Sequence, residues 1–462
     1  MTALSESRLP KIGTGFIFLP VSHETFETNK GLFMKSDPKG LKVIFRSLGH
    51  RNYRLFFGGQ GISLIGTWMQ QIAMNWLVYR LTGSALLLGV VGFSSRIPTF
   101  VFSPLAGVWV DRWNRHRILV VTQILSMIQA LILALLVLTD RILVWHIISL
   151  SLALGMINAL DTPARQSFVV DMIERREDLG NAIALNSSMN NGARLIGPSF
   201  AGVLIAAVGE GVCFLLNGLS FVAVIASLLA MKLNVAEREK QAPQVLEKLK
   251  EGFSYAFGFK PIRALLFMVA LISLMGMPYM TLMPIFAKDI LSGGPRTLGF
   301  LLAGVGTGAV IGGFFLASRK SVLGLGRIIV MASICFGVGL IAFSFSRVFL
   351  LSLALMVFIG FGMMVQFASS NTVLQTLVEE DKRGRVMSFY TMAVMGMMPF
   401  GSLLSGTLAH AIGAPYTLFI GGICCLVGAL LFARKLPLLR SLSRPIYISK
   451  GIIPEDEYKR NK

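Results

Sequence analysis

Two arginines interrupt stretches that otherwise avoid charge: Arg96 in "GVVGFSSRIPTFVFSP" and Arg194 in "NSSMNNGARLIGPSFAGVL". A guanidinium keeps its charge and presents five N–H donors in a planar fork. Buried without a carboxylate beside it, such a group is an anion site. No acidic residue stands at similar depth to neutralise either one. Amides and hydroxyls recur nearby. Gln60, Ser63, Thr67, Gln71 and Asn75 fall within roughly 120° of one another on a helix that turns about 100° per residue. Asn186, Asn190 and Asn191 precede Arg194. The expected solute-binding wall is therefore Gln60, Thr67, Gln71, Arg96, Asn190, Asn191 and Arg194. Each asparagine taken singly is explained somewhat better by a helix-to-helix hydrogen bond.

A second cluster, "GVWVDRWNRHR", spans 107–117 between two apolar runs and holds Gly107, Asp111, Arg112, Arg115 and Arg117. Charges here end one helix, open the next and fix topology; a gating role is the alternative. Further on, Asp161 and Arg165 stand one helical turn apart. Other chemistry is missing. The five histidines are scattered, the four cysteines lie in apolar runs, and no nucleophile–base set or Walker phosphate loop occurs. The reading is a non-enzyme with no cofactor and no metal.

These side chains need long apolar elements to hold them. The chain of 462 residues is 54% hydrophobic and 14% charged, against about 25% charged in soluble proteins. Hydropathy predicts spans over 55–79, 86–110, 117–138, 143–164, 182–208, 212–231, 263–287, 297–317, 327–345, 349–372, 386–411 and 415–434. Each is long enough to cross a hydrocarbon core of about 30 Å as a helix. On this reading Arg96 and Arg194 lie about ten residues, or roughly 15 Å, inside their spans.

Charge orients the set. Apart from Arg96 and Arg194, and from Arg80, Arg141, Lys288, Arg296 and Arg347 on the far side, all of the 43 Lys and Arg fall on one side. The positive-inside rule makes that side, with both termini, cytoplasmic. The net charge of +20 then reads as topology plus attraction to anionic lipids, not as a nucleic-acid footprint.

Residues 180–209 and 384–413 match at an offset of 204. Gly180, Gly192, Gly197, Gly202 and Gly209 recur as Gly384, Gly396, Gly401, Gly406 and Gly413. This makes the fold class an all-α membrane protein of twelve transmembrane helices, two six-helix bundles in pseudo-twofold parallel repeat. Gly192, Gly197, Pro198, Gly202, Gly396, Gly401 and Gly406 are the expected helix-packing positions. The expected units are a partly disordered cytoplasmic tail (1–44), a bundle (45–231), a linker (232–262), a second bundle (263–434) and a cytoplasmic tail (435–462). Within 1–44, the first 33 residues are expected to be disordered, and Met34 is a candidate for the true start. In the linker, Leu246, Leu249, Phe253 and Phe257 recur at helical spacing, which predicts a surface-lying amphipathic helix.

The spacing G-x-x-x-D-R-x-x-R-x-R over 107–117, the six-plus-six spans and "NNGARLIGPSFAGVL" resemble the major facilitator superfamily. "NYRLFFGGQGISLIGTWMQ", "NALDTPARQSFV" and "RGRVMSFY" resemble its bacterial branch of siderophore exporters and macrolide efflux pumps. The resemblance implies that the 107–117 loop latches the cytoplasmic gate in the outward-open state. Asp111 would then face the start of span eleven near 384–388, where a helix dipole favours negative charge, and the arginines would meet Asp161. The expected function is secondary, proton-driven export of an amphipathic, partly anionic organic solute across the inner membrane by a monomer. Asp161 is the candidate proton carrier. An importer or lipid flippase of the same fold, or a non-transporting receptor or scaffold, are the alternatives.

Overall fold

The computed structural model describes residues 45–232, 245–319, 321–380 and 382–453, without the side chains of 103–105, 107, 108, 111, 112 and 245–250. The expectations for 1–44 and for the side chains of Gly107, Asp111 and Arg112 lie outside the described residues. So do those of Leu246 and Leu249.

The described residues are almost wholly helical. In chain order the helices are α1 (Arg51–Thr82), α2 (Ala85–Ser94), α3 (Ile97–Arg112), α4 (Arg115–Leu138), α5 (Val144–Phe168), α6 (Leu179–Val208) and α7 (Glu210–Leu229). Then come α8 (Val245–Gly258), α9 (Lys260–Leu271), α10 (Tyr279–Ile285), α11 (Pro295–Ala317), α12 (Leu325–Phe345), α13 (Phe349–Leu377), α14 (Arg383–Thr391), α15 (Met397–Ile412) and α16 (Ala414–Ser449). Among the described residues eleven helical stretches are long and apolar enough to cross a membrane. α1, at 32 residues, is also long enough, but Gln60, Gln70, Gln71 and Asn75 lower its mean hydropathy.

Three spans depart from the uninterrupted helices expected. The second breaks at Ser95–Arg96, because Pro98 in the first turn of α3 has no N–H to carry the ladder across. Gly155 of α5 packs into the break: a methyl there would lie 2.7 Å from the Ser95 carbonyl oxygen. π-turns interrupt the seventh span at Ile272–Gly276 and Phe286–Ile290, and the eleventh at Met392–Gly396. The expected tail after residue 434 is instead a continuation of α16 to Ser449, with Leu439 and Ser443 buried. Lys450 then donates to the Thr376 and Val378 carbonyls at 2.8 and 3.0 Å, satisfying the end of α13.

Helices α1–α7 pack on one another, as do α9–α16; α6 against α11 and α2 against α15 are the main crossings between the groups. Turns near Gly83, Gly209 and Gly413 mark the sparsely charged end; Gly209 and Gly413 share a positive φ of 83° and 86°. At this end the apolar core is continuous across both groups, through Leu77, Val78, Ala85 and Ile205 to Phe286, Leu298 and Ala409. At the basic end the first group has its own separate core around Tyr53, Phe56, Leu119, Phe168 and Met172.

The linker helix α8 does not simply lie on a surface. Its Phe253 and Phe257 rings stack edge-on against Phe389 at 6.0 and 6.1 Å, and Glu251 pairs with Arg385 at 2.6 Å. It docks on the start of the eleventh span.

Candidate functional site

The middle of the molecule, between the two groups, holds a small apolar pocket. Trp68, Arg194 and Pro198 line it from the first group; Met280, Leu302 and Met363 line it from the second. α6 brings Arg194 there because Gly197, one turn on, lets α6 press against α1: a methyl at Gly197 would lie 2.6 Å from Trp68 Cβ. The guanidinium lies 5.5 Å from the Trp68 ring centroid, and one nitrogen approaches the Met363 sulfur at 3.8 Å. Among the described residues no carboxylate pairs with it. A π face and a thioether satisfy few of its five donors.

Arg96 stands at the break between α2 and α3, half-buried and within electrostatic range of Arg194. No side-chain partner is found for it among the described residues. The break helps to place it: the chain leaves the helical path where the arginine sits. The Tyr279 hydroxyl is fully buried, has no hydrogen-bond partner among the described residues and lies within electrostatic range of Arg194. Sequence reasoning missed Tyr279 and Trp68. Pro278, the residue before Tyr279, and the tryptophan beside Thr67 were the available signals.

The polar stripe of α1 divides. Gln60 and Ser63 are buried, and Gln60 Oε1 and Ser63 Oγ have no hydrogen-bond partner among the described residues. Thr67 is exposed and donates to the Ser63 carbonyl at 2.9 Å; Gln71 and Asn75 are half-buried. The neighbouring Gln70, not singled out from sequence, is tied down instead: it donates to Gln129 of α4 at 3.0 Å and accepts from Asn217 of α7 at 2.6 Å. Asn190 and Asn191 are exposed, about one turn from Arg194 toward the basic end, and Asn190 donates to the Asn186 carbonyl at 2.8 Å. No contact among the described residues joins them to the arginine pocket.

In this arrangement Arg115 and Arg117 do not meet Asp161. Asp161 is buried and accepts from Thr122 at 2.9 Å and Gln123 at 2.8 Å, with Arg165 at 3.5 Å. It points sideways into the α4–α5 interface. Arg115 reaches Asp171 and the Ser167 carbonyl at 3.5 and 3.3 Å, while Arg117 is exposed. The packing glycines also need one correction. Gly396 abuts Phe100, Gly401 the Leu274 carbonyl, Gly202 meets Gly299 and Gly406 meets Gly89, but nothing lies within 4 Å of a methyl placed on Gly192.

A transport protein is the natural bearer of such a pocket, and comparison decides the family. The family model described as transmembrane secretion effector matches residues 44–447. The chain belongs to this family of the major facilitator superfamily. It is a membrane transporter, and its family and relatives are transporters, not enzymes. The staphyloferrin A transporter of Staphylococcus aureus (strain NCTC 8325 / PS 47) is 26% identical, over 82% of this chain and 95% of that protein. The macrolide efflux protein A of Streptococcus pyogenes is 25% identical, over 81% and 94%. Among solved structures, a bacterial homolog of the human lysosomal transporter Spinster, inward-facing and unoccupied, superposes with TM-score 0.64 at 14% identity, covering 90% of this chain and 99% of that one. A bacterial homologue of the iron transporter ferroportin, also inward-facing, gives 0.63 at 16% identity, covering 83% and 98%. These likenesses support the fold.

Proposed function

We propose that this secretion effector is a twelve-span, proton-driven exporter of the inner membrane that moves an amphipathic, anionic, siderophore- or drug-like solute outward by alternating access. The observation that carries the reading is Arg194: a guanidinium between the two groups of helices, set on Trp68 and Met363, with no carboxylate partner among the described residues. An anion is the partner that its donors lack. Arg96 and the Tyr279 hydroxyl would share the charge, and Met280 and Met363 would adapt to an apolar body. Gln60, Thr67, Gln71, Asn190 and Asn191 would line the way in from the basic end.

Two six-span bundles, 45–231 and 263–434, related by a twofold axis along the membrane normal, would form the carrier. The paired crossings Gly202–Gly299 and Gly406–Gly89 support this repeat, as does the shared turn at Gly209 and Gly413. With the basic end cytoplasmic, a core joined at the far end and separate at the basic end fits an inward-facing state. In the opposite state the 107–117 loop, through Asp111, Arg112, Arg115 and Arg117, would close the basic end. The named relatives, a staphyloferrin A transporter and a macrolide efflux protein, support export of such solutes.

Inverted membrane vesicles test the proposal. Under an imposed proton gradient they should accumulate an anionic siderophore, and Arg194→Ala vesicles should not. Accumulation only by right-side-out vesicles would make the protein an importer.

A further inference from the structure

We propose that Tyr79 and Asp289 form the latch of the sparsely charged gate, and that a proton arriving from that side opens it by neutralising Asp289. The inference rests on the transporter reading for its purpose, not for its geometry. Tyr79 lies in the last turn of α1 and Asp289 in the π-turn Phe286–Ile290 that ends the seventh span. The Tyr79 hydroxyl donates to Asp289 Oδ2, joining the two groups of helices at the end where they meet. The Lys288 ammonium lies 5.5 Å from the Tyr79 ring centroid and holds the same ring from its face.

The neighbouring closures differ in kind. Gly202 on Gly299 and Gly406 on Gly89 are backbone contacts with nothing to titrate. Tyr79–Asp289 is a charge-assisted bond, about twice as strong as a neutral one while the carboxylate is ionised. Asp289 is exposed, so protons in bulk water reach it with the gate shut.

Among the described residues no cation pairs with the Asp289 carboxylate. From α1, Arg80 is committed to Glu210 of α7 at 2.7 Å. From the same segment, Lys288 sits on the ring rather than on the carboxylate. From α11, Arg296 is exposed and forms no ion pair among the described residues. α12, which meets this segment through Phe343 against Phe286, carries its Arg327 at the far end. α10 has no charged residue. The proton passes from water to the Asp289 carboxylate. Tyr79 keeps its own proton and is left facing a neutral acid, a weaker acceptor. A solute exported against acid outside would then be released where protons are abundant.

The test uses the full chain in lipid nanodiscs, with Cys213, Cys335, Cys424 and Cys425 replaced by Ser and spin labels on Leu81→Cys and Val348→Cys, both exposed at this end. At neutral pH the labels should report mainly the short, closed distance, and acidification should move the population to a longer one. Asp289→Asn should raise the open fraction about fivefold at neutral pH and abolish the response to acid. Tyr79→Phe should do the same without touching the carboxylate. Unchanged distances in both variants, or an acid response that persists in Asp289→Asn, would overturn the latch. Vesicle transport is measured separately: a working latch in a protein that transports nothing would leave the latch standing and refute the exporter.

Discussion

Gly202 of α6 rests backbone to backbone on Gly299 of α11; a methyl at Gly202 would lie 2.8 Å from Gly299 Cα. The equivalent pair, Gly406 of α15 and Gly89 of α2, is as close: a methyl at Gly406 would lie 2.7 Å from Gly89 Cα. Both crossings depend on the absence of a side chain, and both lie toward the sparsely charged end. They are where one group of helices closes on the other.

Gly202→Leu and Gly406→Leu should each destabilise the closed arrangement by about 1–3 kcal/mol, the cost of overpacking a tight contact. Gly192→Ala meets open space and should stabilise α6 by up to about 1 kcal/mol. Thermal unfolding of the purified variants in detergent checks the order. A loss at Gly192 matching that at Gly202 would contradict it.

Gln70 and Gln71 should part company. Gln70→Leu strands Gln129 Oε1 and Asn217 Nδ2 in the interior, at about 1–3 kcal/mol for each stranded group. Gln71→Leu strands nothing among the described residues and should leave stability within about 0.5 kcal/mol while slowing transport. Melting temperature and vesicle uptake, measured together on both variants, separate the roles.

Tyr279→Phe removes a buried hydroxyl that has no hydrogen-bond partner among the described residues. Stability should hold or rise slightly, since no bond is lost and a desolvated polar group disappears. Solute affinity should nevertheless fall severalfold, about 1 kcal/mol. A drop in stability with unchanged affinity would move Tyr279 out of the site.

What could be read from the chain and what could not follows from how each signal is built. A membrane span is a sum over about 20 residues, so errors at single positions cancel and the span positions emerge. Paired glycines at an offset of 204 pointed to positions of close approach, and five of the six so tested are packed. Partners are a different matter. Whether Asp161 meets Arg115 or Thr122 depends on a helix rotation of a few tens of degrees. The structure gives Arg115 to Asp171 instead. Gln70 and Gln71 differ by about 100°, enough to send one into a three-helix network and leave the other half-buried. Pro98 was visible in the sequence, but apolar content on both sides hid the break at Ser95–Arg96. Tyr79 and Asp289 are 210 positions apart, and no local pattern links them.

The central claim is that Arg194 receives an anion, and the most direct measurement is equilibrium binding. One transported carboxylate and its methyl ester would be titrated into the wild-type protein, Arg194→Lys and Arg194→Ala, with folding followed in parallel. The ionised form should bind the wild type about 10–100-fold more tightly than the ester, as a charged hydrogen bond of about 1.5–3 kcal/mol implies. Arg194→Ala should lose that preference, and Arg194→Lys should recover part of it, because a point charge does not replace a planar fork. Equal affinity of the wild type for the two forms, or an undiminished preference in a folded Arg194→Ala, would contradict the account.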